Sequence, residues 1–421
     1  MIMFKQKSGI TLIVLVVTII VLVILAGVSI NFIFGADGIF TKSQYAVNKY
    51  KNAQEDEQEM LNQVQNYINK NYIMGSRESS VTMQKVKLGL KTVEVPIPNG
   101  FYYVGGDLDT GVVISDNSAD SGKYANIQDV PAGVAYNSDG TVNTENSALK
   151  GNQFVWIPVT VDNYKKTNWG NTYTAVNYST LTPVSELVQI QKYGGFYIGR
   201  YEAGTSDLTL STGINFSNAC TTSDWMKDDY SIRDGLEHSF EGNITCKAGE
   251  IPYYHADYYT AYKLCRNMYK TAYVQSGLVT GTQWDVMLKY IAGNDDTIVG
   301  SACVWGNQKN GVVTYTSGQG RYATVDAGVG SSSDFKKNDG NSHYGINTTG
   351  ISESVKKKNI YDVAGNLSEW TEESVYADST ESYVQRGGNF AFSQTACYRG
   401  GNYYGYNTAT AHGFRPVLYI R

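Results

Sequence analysis

The chain has 421 residues, which is more than one hydrophobic core usually holds, so its length predicts two or three structural units. Its formal net charge of -5 excludes a strongly basic protein, and we expect no nucleic-acid partner. Its five cysteines and four histidines are scattered without metal-ligand spacing, which argues against a zinc site and against a histidine-rich metal enzyme.

The first predicted element is an uncharged apolar run over residues 10–34, preceded by Lys5 and Lys7. As an α-helix this run reaches about 37 Å, which is enough to cross a hydrocarbon core of about 30 Å. It therefore predicts a transmembrane helix, with a plain single-pass anchor as the simplest form. The two lysines predict a cytoplasmic N-terminus and place everything after Phe34 outside the membrane, at the cell surface.

The residues before this run, KSGITLI from Lys7 to Ile13, resemble the leader of type IV prepilins. The resemblance implies a leader over residues 1–9 that a prepilin peptidase cuts between Gly9 and Ile10, and an apolar helix that stays on the mature protein. Pilins usually carry Glu at the position of Val14. This departure leaves open whether the chain joins other pilins in a filament.

Two further segments precede the main domain. Residues 35–72 predict a helical stalk, because apolar residues recur at largely helical spacing between residues 50 and 68. The sequence GSRESS at 75–80 breaks that pattern and predicts a linker over 73–92.

Residues 93–421 predict a loop-rich domain. Strand and turn signals occur at 93–106, 111–116, 152–159 and 194–204, and helical signals at 255–272 and 283–292. The predicted fold class is therefore α+β, with a long N-terminal membrane-spanning, pilin-like helix followed by this domain.

The order of motifs in the domain resembles the formylglycine-generating-enzyme (sulfatase-modifying-factor) family. The resemblance covers about residues 95–421 and implies a C-type-lectin-like fold. The motifs that carry it are FVWIP (154–158), FYIGRYE (196–202), the helix from residue 255, TGTQWD (280–285), YDVAGNLSEW (361–370), RGGN (386–389) and GFR (413–415).

Several polar residues of these motifs are candidates for structural roles. In relatives the turn around Gly365 often holds calcium, so the resemblance implies Asn366 and Glu369 as calcium ligands; a hydrogen-bonded turn is the alternative. No other cofactor is predicted. Arg386 and Arg415 are each expected to pair with a buried carboxylate, and Glu202 and Glu369 are the candidates, which the sequence does not assign.

The residues argue against an enzyme. The oxidase of the resembled family uses two cysteines that follow the RGG motif and are separated by four residues, whereas the corresponding positions here are Phe392 and Cys397. A phenyl ring cannot serve as a metal-binding thiolate. The chain also lacks a nucleotide-binding GxxxxGK[ST] motif and a hydrolase-type GxSxG motif beside a suitable His and acid.

The C-terminal stretch 386–421 has the composition of a binding surface, with aromatic rings among Gly, Ser, Thr and Asn. It also resembles the repeat of variable proteins of diversity-generating retroelements, which implies fixed framework residues around rewritten, ligand-facing ones. The predicted framework is Arg386, Gly387, Gly388, Gly413, Phe414 and Arg415. The predicted ligand-facing residues are Phe390, Ala391, Phe392, Ser393, Tyr398, Gly400, Asn402, Tyr403, Tyr404, Tyr406 and Asn407.

These patterns together predict a membrane-anchored, pilin-like display protein whose C-terminal face binds a protein or glycan, for adhesion or target recognition. Two alternatives stay open: an extracytoplasmic enzyme of the sulfatase-modifying-factor superfamily, and a minor pseudopilin with a structural head. A Gly/Tyr-rich loop with no partner is the plainest interpretation of the C-terminal composition.

Overall fold

The structure is a computed structural model that describes residues 16–17, 19–21, 80–169, 184–205, 243–254, 256–295, 299, 305–309, 313–324, 335–377, 380–403 and 411–421. The chain divides into two compact units, Met1–Gly75 and Ser76–Arg421. The described residues of the first unit, Val16, Val17 and 19–21, are helical.

The N-terminal prediction needs correction. Within the described ranges, no helix is both long and apolar enough to cross a membrane. This finding overturns the long membrane-spanning, pilin-like helix predicted over 10–34, together with the membrane-anchored, extracytoplasmic localisation. The prediction used hydropathy alone, and hydropathy does not determine how long a helix the folded chain forms. The leader site at Gly9 and Ile10 and the stalk over 35–72 lie outside the described residues.

The described part of the second unit is mostly β-sheet with short helices, which corrects the predicted α+β class. The helices are α1 (Val184–Tyr193), α2 (Tyr258–Met268) and α3 (Gly281–Ala292). The strands are β1 (Val81–Leu88), β2 (Lys91–Pro98), β3 (Tyr102–Gly105), β4 (Val112–Ser115), β5 (Gln153–Pro158), β6 (Gly195–Gly199), β7 (Gly204–Thr205), β8 (Ile251–Pro252), β9 (Val274–Leu278), β10 (Arg321–Thr324), β11 (Lys336–Lys337), β12 (Gly345–Asn347), β13 (Ser368–Ala377), β14 (Thr380–Arg386), β15 (Arg399–Tyr403), β16 (His412–Phe414) and β17 (Pro416–Ile420).

The largest sheet has the strand order β3-β4-β5-β6-β17-β9, and its neighbouring strands are antiparallel. Alternate residues of one strand point to opposite sides of the sheet. Both sides of this sheet are covered by apolar clusters. On β5, Val155 and Ile157 belong to one apolar cluster with Trp284 of α3, whereas Phe154 and Trp156 belong to another. The strand order places β17, at the C-terminal end of the chain, between β6 and β9 inside the sheet.

A second sheet, of order β15-β14-β13-β16, carries the arginine and glycine motifs predicted as framework. Strand β14 is antiparallel to both β13 and β15, and β16 runs parallel to β13. The register places Arg386 between Glu369 and Arg399 on the two neighbouring strands, and Gly413 beside Glu369. Segments far apart in sequence thus meet on this sheet.

Three smaller sheets complete the described architecture: β11-β10-β12, β7-β8 and the hairpin β1-β2. The hairpin overlaps the linker predicted over 73–92. Its strands contain β-branched residues at Val81, Thr82 and Val86, which favour extended backbone even though Lys and Gln lie between them.

Helix α3 carries Asp285, which forms ion pairs with two arginines of the candidate site. A capping box fixes its N-terminus: the Thr280 hydroxyl accepts a hydrogen bond from the Gln283 N–H at 3.2 Å, and the Gln283 side chain accepts one from the Thr280 N–H at 3.0 Å. The helix ends at Gly293, whose φ is +62°. Trp284 and Asp285, the fourth and fifth residues of the helix, are both buried.

Candidate functional site

The candidate site is the C-terminal loop 387–398, which connects the end of β14 to the start of β15. Gly387 and Gly388 open the loop with φ values of +81° and +71°, a backbone region that favours glycine. A Cβ on Gly388 would lie 2.4 Å from the Cβ of Gln394, and one on Gly387 would lie 2.8 Å from the Val363 carbonyl oxygen. The loop can close against the domain only with glycine at both positions.

A ring of alternating charges holds both ends of this loop. Arg386 contacts Asp285 at 2.7 Å and Glu373 at 3.0 Å, and Arg399 contacts Glu373 at 3.2 Å and also pairs with Asp285. All four side chains are completely buried. Burial alone would raise the pKa of Glu373, but Arg386, Arg399 and Lys166 together hold it below its ordinary value.

A short segment after β5 covers the ring. Lys166 Nζ lies 3.3 Å from a Glu373 oxygen, the Thr167 N–H donates to Asp285 at 3.0 Å, and the Trp169 indole N–H donates to Asp285 at 3.1 Å. These donors satisfy the remaining oxygen positions of the two carboxylates, as buried charges require. The ring is therefore shared by α3, β13, β14, β15 and the segment 166–169.

A second buried ion pair holds the start of β17. Arg415 Nη2 lies 2.6 Å from a Glu369 oxygen, and Arg415 Nε donates to both Glu369 oxygens. Arg415 therefore pairs with Glu369, as one of the two predicted candidates. Glu202 pairs with neither predicted arginine: it accepts hydrogen bonds from the Asn366 amide at 2.5 Å and from the Leu367 N–H at 2.9 Å.

The same contacts argue against calcium at Asn366 and Glu369. Asn366 has a φ of +58°, and its side-chain oxygen accepts a hydrogen bond from the Asn347 N–H at 2.9 Å. The Glu369 carboxylate is held by Arg415. Across the described residues, no group of three or more His, Cys, Asp or Glu side chains could hold a metal ion. The geometry is that of a hydrogen-bonded turn, because its oxygens are already used by protein donors.

Three carboxyl groups share the surroundings of Arg415. Burial raises the pKa of Glu202 well above its ordinary value, and neighbouring Asp362 and Glu369 raise it further. Burial also raises the pKa of Glu369, against the pull of Arg415. Burial raises the pKa of Asp362 to about 7, because Arg415 offsets only part of the desolvation penalty. One arginine does not neutralise three carboxylates, so this cluster favours proton uptake.

The loop is half buried and half exposed. Phe390 is 2% exposed and packs in an apolar cluster with Phe335 and Leu367. Phe392 is 58% exposed, and Ser393 is also exposed. The chain reverses between Phe390 and Phe392. The Asn389 side chain supports the reversal by accepting a hydrogen bond from the Ala391 N–H at 2.9 Å.

The predicted ligand-facing residues therefore separate into three groups. Ala391, Phe392, Ser393 and Tyr398 are exposed or half-buried. Phe390 and Gly400 are buried, so the structure assigns them to the core and corrects their prediction as ligand-facing; composition does not reveal which way a side chain points. Asn402 and Tyr403 lie in β15, with side chains outside the description, and Tyr404, Tyr406 and Asn407 lie outside the described residues. The predicted framework residues Arg386, Gly387, Gly388, Gly413, Phe414 and Arg415 are all buried.

The two positions that correspond to the catalytic thiol pair of the resembled family differ in environment. Cys397 is completely buried in the apolar cluster beneath the loop, and its sulfur lies 3.2 Å from the Thr395 hydroxyl. Phe392 points outward. The site thus presents an aromatic ring to solvent and keeps its thiol inside.

Sequence reasoning missed several residues that build this region. Asp285, Glu373 and Arg399 form most of the charge ring. In the sequence each is only a charged residue, and the structure shows that the segment around it is buried. Tyr344 contacts the loop from a distant part of the chain: its hydroxyl donates to the Ala391 carbonyl at 3.2 Å. A turn-rich stretch with one tyrosine gives no sign of that contact in the sequence.

Comparisons with known proteins leave the family undetermined. No protein-family model matches the chain, and a search of curated proteins found no match. The resemblance to the formylglycine-generating-enzyme family therefore stays a prediction based on motif order.

Substituting Asp285 tests the charge ring. In Asp285→Asn, Glu373 alone faces Arg386, Arg399 and Lys166, so we expect the free energy of unfolding to fall by about 3–5 kcal/mol. Urea denaturation measures this change. The control is Asp162→Asn, an exposed residue of the short 3-10 helix Val161–Asn163, which should change stability by about 0.5 kcal/mol or less. Equal effects of the two substitutions would contradict a structural role for the ring.

The carboxyl cluster predicts a pH dependence of stability. The pKa of Asp362 is about 7 in the folded chain against an ordinary 3.8, so the folded state binds this proton more tightly than the unfolded state does. Its contribution to the free energy of unfolding is therefore full at low pH and is lost as pH rises from about 4 to about 7. Asp362→Asn should flatten the stability profile in this window, measured by urea denaturation across pH. The Asp162→Asn control should keep the original slope; an unchanged slope in Asp362→Asn would sink the assignment.

Proposed function

We propose that this chain is a ligand-binding protein and that its recognition element is the C-terminal loop 387–398 with the strand that follows. The observation that carries the proposal is the contrast between the loop's ends and its middle. Arg386 and Arg399 are locked into a buried charge ring, whereas Phe392 is 58% exposed. An exposed aromatic ring on a firmly held loop offers a partner a large apolar contact area.

The composition of the segment supports recognition of a partner. Residues 389–407 are rich in Tyr, Asn and Gly and also contain two Phe. Aromatic side chains give large contact areas with few rotatable bonds, and small polar residues supply adaptable hydrogen bonds. Because the loop's ends are fixed, binding would cost little backbone ordering.

We propose a non-enzymatic role for this segment. A reactive cysteine is usually accessible and lies in surroundings that stabilise its thiolate. Cys397 is completely buried among apolar residues such as Trp284 and Ala396. Phe392, at the other position of the family's thiol pair, has no redox or metal-binding group. These two features favour binding over oxidation chemistry.

We further propose that the segment is rewritten by a diversity-generating retroelement, as the resemblance to variable proteins of such elements implies. The bracketing residues from Arg386 to Gly388 and from Gly413 to Arg415 would be constant, and exposed residues between them, such as Phe392 and Ser393, would be variable. The burial of these brackets in ion pairs and tight turns supports the proposal, because substitutions there would damage the fold.

The genomic DNA around the gene tests this diversification. We expect a near-copy of the codons for residues 386–420, differing at adenines, beside a reverse-transcriptase gene. The coding sequence itself serves as the control, since codons for the bracketing residues should match the copy. A locus without such a copy contradicts diversification and leaves ligand binding as a separate question.

Selection of peptides tests the binding surface. A phage-displayed random peptide library is selected on the full-length chain, and the affinities of the enriched peptides are measured for the parent and for Phe392→Ala. We expect about tenfold weaker binding to Phe392→Ala, because a central aromatic contact typically contributes that much. Tyr102→Ala, which removes an exposed aromatic ring on β3, serves as the control. Peptides that bind the parent, Phe392→Ala and Tyr102→Ala equally would contradict the assigned surface.

A further inference from the structure

The segment that covers the charge ring is anchored by a buried carboxyl group. We call this segment, residues 164–169, the strap. The Tyr164 hydroxyl donates a hydrogen bond to the carboxyl group of Glu186, which lies in the first turn of α1. The Tyr164 ring also packs edge to face on Phe196 of β6, with ring centroids 6.1 Å apart. One end of the strap is therefore fixed to α1 and to the largest sheet.

The rest of the strap holds the ring. Thr167 contacts the ring twice, because its N–H donates to Asp285 at 3.0 Å and its carbonyl accepts from Arg399 Nη2 at 3.2 Å. Lys166 Nζ lies 3.3 Å from a Glu373 oxygen. Since the same ring holds the end of β14 and the start of β15, a movement of the strap acts on both ends of the C-terminal loop 387–398.

Glu186 lies in surroundings that do not compensate a negative charge. It is 2% exposed, and besides Tyr164 it accepts hydrogen bonds from the hydroxyls of Tyr419 at 3.4 Å and Thr280 at 3.5 Å. Within the described part of the chain, no lysine or arginine forms an ion pair with it. The first turn of a helix supplies only a partial positive charge. A carboxylate buried without a cation carries a large desolvation penalty, and the group takes up a proton instead.

The titratable groups that face Glu186 are Tyr164, Tyr419 on β17 and Glu372 on β13. Burial and the charge of Glu186 raise the pKa of both tyrosines well above the ordinary value, so their hydroxyls keep their protons. Burial raises the pKa of Glu372 to about 7, against the pull of Arg266. Burial raises the pKa of Glu186 to about 8, although the hydrogen bond from Tyr164 acts in the opposite direction. Glu186 therefore holds its proton at neutral pH.

From this arrangement we infer that Glu186 and Tyr164 form a pH-sensitive switch, in which protonated Glu186 holds the strap closed over the charge ring and loss of that proton releases it. Release of Tyr164 lets water reach the carboxylate, which then has its ordinary pKa of 4.5 instead of about 8. The closed strap thus binds the proton more tightly than the open one. Closure is strongest below pH 4.5 and weakens as pH rises to about 8. The switch acts on the base of the loop whatever the loop binds, so it goes beyond the proposed function.

Trypsin cleavage after Lys166 measures opening of the strap, because trypsin must bind the lysine side chain that the closed strap holds against Glu373. Cleavage rates of the full-length parent and of Glu186→Gln are measured at pH 6 and pH 8 by mass spectrometry. Glutamine has nearly the same shape and does not ionise, and the ratio of the two rates cancels the pH dependence of trypsin. We expect the parent-to-variant ratio to rise about tenfold or more between these pH values, since one proton can shift the equilibrium about tenfold per pH unit.

Two further variants and one reference site sharpen the test. Asp362→Asn removes another carboxyl group that titrates near pH 7, and it should keep the parental rise. Tyr164→Phe removes only the anchoring hydroxyl, so we expect cleavage after Lys166 at pH 6 about tenfold faster than in the parent. Cleavage after Lys91, an exposed residue at the start of β2, should be the same in the parent and in Glu186→Gln.

Several outcomes overturn the switch. An equal rise with pH in the parent and in Glu186→Gln shows that opening does not involve this proton. A rise after Lys91 that matches the rise after Lys166 assigns the change to global unfolding. Parental cleavage of Tyr164→Phe at both pH values removes the anchor. If Glu186→Gln does not fold, Tyr164→Phe and the contrast between Lys166 and Lys91 in the parent still decide between a local switch and none.

Discussion

The buried ring formed by Asp285, Glu373, Arg386 and Arg399 is the interaction on which the C-terminal region depends. Removing four charges from water carries a large desolvation penalty, which mutual attraction offsets only when geometry and hydrogen bonding are complete. Here each arginine contacts both carboxylates, and main-chain and indole donors fill the remaining positions. The ring holds the end of β14 at Arg386 and the start of β15 at Arg399, because each arginine pairs with both carboxylates.

The charge ring and the apolar core beneath the loop together determine the shape of the loop between these strands. The Trp284 indole donates to the Ala396 carbonyl at 3.1 Å, and Cys397 fills the same apolar cluster as Trp284. On the other side Phe390 is buried. The loop is thus anchored at its two glycines, at Phe390 and at Ala396, and only the short stretch between the last two is free to face solvent. Preorganisation of this kind lowers the entropy cost of binding.

Local signals in the sequence were enough to find many elements, and long-range contacts were beyond them. Strand signals located β5 and β6, and the helical signal over 283–292 located most of α3, since these depend on neighbours a few residues apart. The partners of Arg386 lie about a hundred residues away on α3 and just before on β13, and charge pairing leaves no periodic trace. Phe390 and Phe392 look alike in composition, but a single chain reversal buries one and exposes the other. Hydropathy alone also misled the prediction of a long N-terminal spanning helix.

Tyr344 changes what variability at the C-terminus could achieve under the proposed function. A rewritten loop alters Phe392 and its neighbours, but the adjacent ring comes from a separate segment held by β10 and β12. Because the Tyr344 hydroxyl binds the main-chain carbonyl of Ala391, that contact survives any change of side chain at position 391. A constant tyrosine bonded to the backbone of a changing loop would help to hold the chain at position 391 in each variant.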